Sequence, residues 1–204
     1  MNFNKTKLII FAFASFTIGS TQAASIIDFE DVPFFPGVAA SYPSAGYQGF
    51  DWTGGWGDIS WVISPKDDNG LGGFKEPYSH SGNNFSWSNG GTDLALTVHG
   101  GGTFDLASFW VRTPAQPLSL TAHGYLSGSE VFTQTFTATE DYAEITTNFT
   151  HIDRFTLVPE RTANVLIDDI NVANVSAIPE PEIYAMLLVG LGLMGFMTYQ
   201  RKVI

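Results

Sequence analysis

Residues 118–123 read LSLTAH, and the alternation in this stretch decides the fold. Leu118, Leu120 and Ala122 are apolar, and the residues between them are polar. A period of two places the apolar side chains on one face of a β-strand and the polar ones on the other. Residues 94–98, LALTV, alternate in the same way. Both stretches therefore predict strands of a sheet with one buried face and one wet face.

Short runs of β-branched and aromatic residues recur throughout residues 24–178, separated by turns rich in Gly, Asn, Asp and Pro. No stretch between them has the 3.6-residue period of an amphipathic helix. We expect ten strands, near residues 25–30, 47–52, 59–63, 93–98, 103–111, 117–123, 130–138, 143–149, 152–158 and 164–172.

Ten short strands predict an all-β fold in which two antiparallel sheets pack as a β-sandwich of the jelly-roll type, with an immunoglobulin-like sandwich as the alternative. Residues 64–91 are rich in Gly, Ser and Asn and long for a simple connection. We expect them to form loops that lie over one end or one face of the sandwich.

The N-terminus has the pattern of a secretory signal peptide. Lys5 and Lys7 precede an apolar run over residues 8–18, and small residues follow up to Ala23. The pattern predicts a signal peptide over residues 1–23 that is cut after Ala23. The alternative, an uncleaved anchor, is disfavoured because a mainly apolar run of eleven residues is short for a span that needs about 20.

Residues 24–178 then form one exported domain, a size that can bury a core of its own. This segment has five basic and eighteen acidic residues, a formal charge of −13. Nucleic-acid recognition requires clustered Lys and Arg, so no nucleic-acid partner is expected. The chain has no cysteine, and its stability must come from core packing or a bound metal.

The C-terminus has an uncharged stretch over residues 183–199. A helix of this length reaches about 25 Å, slightly less than a hydrocarbon core, so the stretch predicts a single transmembrane helix. Arg201 and Lys202 follow it, which places that end in the cytoplasm and the β-sandwich outside. A buried core helix is the alternative.

Pro179, Glu180 and Pro181 precede this stretch. The order Pro-Glu-Pro, a Gly- and Leu-rich span, and the basic pair Arg201 and Lys202 over residues 179–204 closely resembles the PEP-CTERM sorting signal of Gram-negative bacteria. The resemblance implies recognition by an exosortase, a membrane-embedded cysteine transpeptidase or protease that removes the span. It also implies an inner-membrane-anchored precursor and a mature product at the cell surface or in the exopolysaccharide matrix of a biofilm.

Five segments of the main domain are similar to parts of a jelly-roll ectodomain that recurs with this tail. They are IIDFEDV at 26–32, GYQGFDW at 46–52, SGNNFSW at 81–87, HIDRFTL at 151–157 and LIDDINV at 166–172. Lectin-like carbohydrate-binding modules share this architecture, which is an analogy of fold and not of ligand.

Asp168 and Glu30 are the candidate metal ligands. Strict alternation places Asp168 on one strand face with Leu166 and Ile170, so its carboxylate points inward and needs a partner. If the first and last strands are neighbours, Glu30 and Asp168 lie close enough to hold a structural calcium ion through their oxygens. The alternative is that Asp168 accepts backbone hydrogen bonds or pairs with Arg154.

Trp52 and Trp56 are the candidate glycan-binding residues. They flank a Thr-Gly-Gly turn, and flat aromatic rings beside polar side chains can stack on sugars. Packing in the core is the alternative for each. The histidines lack metal-ligand spacing, and neither a nucleophile elbow nor a P-loop is present, so no catalytic residue is predicted. We expect a structural or glycan-binding protein, with a secreted glycan-active enzyme as the alternative.

Overall fold

A computed structural model describes residues 21–22, 24–33, 41–53, 61–66, 78–88, 93–177 and 187–195 of the chain. These residues contain twelve β-strands and a helix, α1, at 187–195. The strands are β1 (Thr21–Gln22), β2 (Ser25–Ile27), β3 (Phe50–Thr53), β4 (Trp61–Pro65), β5 (Asn84–Ser88), β6 (Leu94–Val98), β7 (Gly102–Arg112), β8 (Leu118–Leu126), β9 (Ser129–Ala138), β10 (Ala143–Ile152), β11 (Arg154–Pro159) and β12 (Leu166–Ala177).

The strands form two antiparallel sheets that pack face to face. Within the described residues, one sheet has seven strands in the order β10-β7-β12-β5-β4, with β1 and β2 also paired to β12. The other has five strands in the order β3-β6-β11-β8-β9. The predicted all-β sandwich of jelly-roll type is therefore confirmed. The first and last strands are neighbours, which is the condition that the calcium hypothesis requires.

The core lies between the inner faces of the two sheets. Leu118, Leu120 and Ala122 are buried there, as the alternation in LSLTAH predicts. Aromatic rings connect the sheets across the interior: the rings of Phe50 and Phe104 lie 5.1 Å apart, and those of Phe109 and Phe155 lie 5.6 Å apart. Because the described residues contain no disulfide, this apolar contact carries the stability of the sandwich.

Strand β5 corrects one prediction, because it lies inside the stretch 64–91 that was expected to form only loops. All five of its residues are buried. Phe85 and Trp87 point to the outer face of the seven-stranded sheet, where they pack with Val62, Tyr78 and Leu166 in a second cluster. The side chains on the other face of β5 are Ser and Asn, which are typical of loops, so the sequence did not predict a strand here.

A β-bulge in β12 corrects the predicted direction of Asp168. Asp169 has a φ of +46°, a conformation that Asp tolerates better than most residues, and the register of β12 against β7 shifts after Asp168. The extra residue separates two faces: Leu166 and Asp168 lie on the outer face, whereas Ile167 and Ile170 point into the core. Strict alternation therefore fails between Asp168 and Ile170.

The described part of the C-terminal stretch is α1, which lies within the predicted transmembrane segment 183–199. Among the described residues, no helix has the length and apolar character needed to cross a membrane. The remainder of that segment lies outside the described residues, as do Pro179, Glu180, Pro181, Arg201 and Lys202. Strand β1 is the described part of the predicted signal peptide.

The burial of β5 generates a stability prediction. Phe85 is fully buried in the outer cluster, so Phe85→Ala should lower the free energy of unfolding by about 3 to 5 kcal/mol. Thr137→Ala, on the exposed part of β9, is the control and should change it by less than about 0.5 kcal/mol. Urea denaturation measures both. Equally small losses of unfolding free energy in the two variants would contradict the burial of β5.

Candidate functional site

Asp168 holds a loop against the outer face of the seven-stranded sheet. Its side chain is fully buried. The Oδ2 atom accepts hydrogen bonds from the backbone N–H groups of His80 at 2.8 Å and Ser81 at 3.2 Å. The Oδ1 atom accepts one from the N–H of Asp169 at 2.9 Å. The bulge provides this geometry, because it turns the carboxylate outward to the loop that covers it.

Glu30 holds the other end of the same loop. Its Oε1 atom accepts hydrogen bonds from the backbone N–H groups of Asn83 at 2.7 Å and Asn84 at 2.6 Å. Gly82 lies between the two anchored ends with a φ of +52°, and a Cβ atom there would lie 2.4 Å from the Glu30 carboxylate. Only glycine therefore fits at this position without displacing Glu30.

The two predicted calcium ligands thus bind backbone amides of residues 80–84. This arrangement corresponds to the alternative in which Asp168 accepts backbone hydrogen bonds, and Arg154 lies in the other sheet. In the part of the chain that the structure describes, no group of three or more His, Asp and Glu side chains is placed to hold a metal. Calcium binding by Glu30 and Asp168 stays a prediction.

The Asp168 carboxyl has a displaced pKa. Burial raises its pKa from the ordinary 3.8 to about 7 by removing the charged form from water, and the negative charge of Asp169 acts in the same direction. The hydrogen bonds from Ser81, Asp169 and His80 oppose this rise because they stabilise the carboxylate. Burial is the larger effect, so folding favours the protonated form.

His80 and Trp110 form a stacked pair beside this anchor. The two rings lie 3.6 Å apart and nearly parallel, and the Nδ1 atom of His80 lies 2.6 Å from Oδ2 of Asp169. The Tyr142 hydroxyl donates a hydrogen bond to the Tyr78 carbonyl oxygen at 2.5 Å. Together these contacts hold the loop against the sheet, and Trp110 packs on His80.

The structure places Trp52 in the core. Its side chain is only 8% exposed, and its ring packs edge-on against Trp61 at 4.9 Å. Its Nε1–H donates a hydrogen bond to the carbonyl oxygen of Tyr47. These contacts correspond to the packing alternative left open by the sequence, and little of the ring is available for a sugar. Trp56 lies outside the described residues.

The outer face of the five-stranded sheet presents a different polar surface. Strand pairing aligns five residues in one row across all five strands, which we call the cross-strand row. Each member is the direct partner of the next in the antiparallel register. Its members, from β3 to β9, are Asp51, Thr97, Arg154, Tyr125 and Glu130. With strands about 4.8 Å apart, the row extends over about 19 Å.

The row combines an aromatic surface with hydrogen-bonding groups of both kinds. The Arg154 guanidinium lies 5.8 Å from the centre of the Tyr125 ring, a distance typical of a cation–π contact. An open depression of about 400 Å³ lies over this part of the sheet, and Asp93 and Thr156 contribute to its lining. Three members of the row, Thr97, Tyr125 and Arg154, also line this depression.

At its two ends the row is fixed by histidines. The Nδ1 atom of His99 lies 2.7 Å from Oδ1 of Asp51, and the Nδ1 atom of His123 lies 2.7 Å from Oε2 of Glu130. Sequence reasoning missed this surface because its five members come from five different strands, most of them far apart in the sequence. The detectable signal was the alternation itself, which marks Thr, His, Tyr and Arg positions as facing water.

Comparison with known proteins gives one match by sequence family. Residues 177–202 match the PEP-CTERM protein-sorting motif. This confirms the resemblance predicted from the Pro-Glu-Pro segment, the span and the basic end. No curated protein sequence matches the chain.

Solved structures give similarities of fold. The CBM22-1–CBM22-2 tandem domain of Paenibacillus barcinonensis Xyn10C aligns at a TM-score of 0.45 with 13% identity, over 82% of this chain and 49% of that one, so the chain spans about half of the tandem. The single CBM22-1 xylan-binding domain of the same protein aligns at a TM-score of 0.40 with 14% identity, over 78% of this chain and 100% of that domain. The K2 cleaved adhesin domain of Lys-gingipain aligns at a TM-score of 0.43 with 14% identity, over 74% of this chain and 98% of that domain. At these identities no ligand is assigned to this chain.

The raised pKa of Asp168 predicts a pH dependence of stability. A folded-state pKa of about 7 instead of 3.8 means that the folded chain binds more protons than the unfolded chain between these values. The stability contributed by Asp168 should therefore be complete below about pH 4 and be lost as the pH rises to about 7, by roughly 4 kcal/mol at most.

Asp168→Asn tests this dependence because the amide does not titrate. Urea denaturation from pH 4 to 8 gives the unfolding free energy as a function of pH. This free energy should fall less steeply with pH in the variant than in the unchanged protein, even if the variant is less stable at every pH. Identical slopes would show that folding does not raise the pKa of Asp168.

Proposed function

We propose that this chain, which carries a PEP-CTERM protein-sorting motif, is an exported protein that binds neutral glycans through its cross-strand row. It is sorted by an exosortase to the cell surface or the extracellular matrix of a Gram-negative bacterium, and it associates there with exopolysaccharide. Its role is binding without turnover. The observation that carries the proposal is the continuous row of polar and aromatic side chains across the five-stranded sheet.

The chemistry of the row suits a sugar polymer. A pyranose ring has apolar faces and a rim of hydroxyl groups that both donate and accept hydrogen bonds. Tyr125 offers a ring for stacking, Arg154 offers donors, and Asp51 and Glu130 offer acceptors at the two ends. Because these residues lie on the strands of a packed sheet, their positions are fixed before a ligand binds.

The charge of the domain favours a neutral polymer over an acidic one. Residues 24–178 carry a formal charge of −13, and Asp93 and Asp153 line the depression beside the row. Arg154 is the cation of that lining, and its guanidinium is already placed over Tyr125. A polymer of uronic acids would bring its carboxylates against this surface and be repelled, especially at low salt.

The C-terminal motif supports export and processing as one sequence of events. The predicted signal peptide directs the chain across the inner membrane, and residues 183–199 hold the precursor there as a transmembrane helix. An exosortase then cleaves near Pro179–Pro181 and releases the β-sandwich domain. Glycan binding retains the released domain in the matrix.

The glycan proposal predicts that Tyr125→Ala weakens binding at least tenfold, since loss of a stacking ring removes more than about 1.4 kcal/mol. Isothermal titration with cellohexaose, xylohexaose and mannohexaose, and with the host's own exopolysaccharide, measures it. Tyr42→Ala is the matched control, because Tyr42 is also a tyrosine and is 57% exposed. It lies away from the row, since the preceding residue, Ser41, pairs with Ile63 of β4 in the other sheet.

Neutral oligosaccharides should bind more tightly than an oligogalacturonate of the same length, and no shortened product should accumulate. Equal affinity in the Tyr125 and Tyr42 variants would remove the row as the binding site. Release of shorter oligosaccharides would instead favour the glycan-active enzyme.

The sorting proposal predicts that replacing Pro179, Glu180 and Pro181 by Ala together leaves the full-length protein in the inner membrane, because the stiff segment read by the exosortase is lost. Mass spectrometry of the surface and membrane fractions measures the C-terminus. A matched triple substitution at the exposed residues Thr133, Thr135 and Thr137 on β9 is the control. Unchanged C-terminal processing in the Ala variant would contradict the proposal.

A further inference from the structure

The chain's first described residues pair with its last strand. In β1, Thr21 is the partner of Ser176 and Gln22 is the partner of Val175. In β2, residues 25–27 continue along β12 as partners of residues 170–172. The two short strands therefore form one interrupted N-terminal strand that runs antiparallel along the edge of β12.

The paired end of β12 leads directly into the sorting motif. Strand β12 ends at Ala177, and the motif begins at residue 177. On the other side, β7 pairs with the same end, with Thr103 as the partner of Ser176. The last residues before the motif are thus held between two strands, and one of those strands is β1.

The predicted signal-peptide cut falls at the end of β1. Cleavage after Ala23 would separate Thr21 and Gln22 from the domain and leave β2 in place. The residues before the motif would then keep β7 as their one described partner strand. A strand end with one partner opens locally more often than one held on both sides.

We propose that removal of the signal peptide releases the segment that leads into the sorting motif, so that C-terminal processing follows N-terminal processing. This inference rests on the proposed exosortase processing and on the predicted cut after Ala23. A peptidase binds its substrate as an extended segment whose backbone groups are unpaired, and retained β1 keeps Val175 and Ser176 in the sheet. The two ends of the chain are therefore coupled through four residues of one sheet.

The first test retains β1 by blocking the cut. Ala24 is exposed and lies between β1 and β2, so Ala24→Pro prevents cleavage at the adjacent bond without removing a donor from either strand. Pulse labelling of the full chain in cells, followed by mass spectrometry of both termini, should show C-terminal processing slowed about tenfold, since opening must break additional backbone hydrogen bonds. The N-terminal mass verifies that the leader is retained.

A retained leader also keeps the protein anchored, and a second variant separates this effect from pairing. Thr21→Pro and Gln22→Pro are added to Ala24→Pro, which keeps the leader but prevents β1 from pairing. C-terminal processing should return to the original rate. If it stays as slow as in the single variant, or if the single variant is processed normally, the inference is wrong while the sorting proposal stands.

An engineered disulfide provides an independent test in which the signal peptide is still cleaved. The chain has no cysteine of its own, and Cα atoms of directly opposed antiparallel residues lie at distances that a disulfide can join. Gln22→Cys with Val175→Cys should keep β1 attached after cleavage and slow C-terminal processing, and a membrane-permeable reductant should restore it. Processing that is indifferent to the reductant contradicts the inference. Absence of C-terminal processing in the unchanged protein overturns both this inference and the sorting proposal.

Discussion

The backbone pairing of β12 is the interaction on which the rest of the structure depends. This last strand pairs with β7 along most of its length, and on its other edge it pairs first with β5 and then with β2 and β1. It therefore joins the beginning, the middle and the end of the domain in one sheet. In a chain without disulfides, such non-local hydrogen bonding and the core it covers replace covalent closure.

One residue of β12 determines how the outer face of its sheet is used. The bulge at Asp169 turns Asp168 away from the core, and Asp168 then binds the amides of the covering loop. That loop and the cluster around Trp87 cover the outer face near β4, β5 and β12. The outer face of the five-stranded sheet carries instead a polar cross-strand row, so the two faces of the sandwich have different roles.

Sequence alternation predicts the fold because strand periodicity is a local property. The ten predicted strands all correspond to observed ones, and the segment NFSWS was missed because its inward side chains are small and polar. The bulge was not predictable, since a single residue in a left-handed conformation leaves almost no compositional signal. The cross-strand row depends on register between distant strands, and register is fixed by tertiary pairing. The burial of Trp52 was also not predictable, because a position beside a turn does not determine whether a ring is exposed.

Native-state hydrogen exchange tests the central role of β12 most directly. If the strand organises the domain, the amides of Ile170, of Val172 and of Leu106, the partner of Val172 in β7, should exchange only through global unfolding. Their opening free energies should equal the unfolding free energy from urea denaturation. Opening of these amides at a free energy several kcal/mol below the global value, while those of β8 remain protected, would contradict the account.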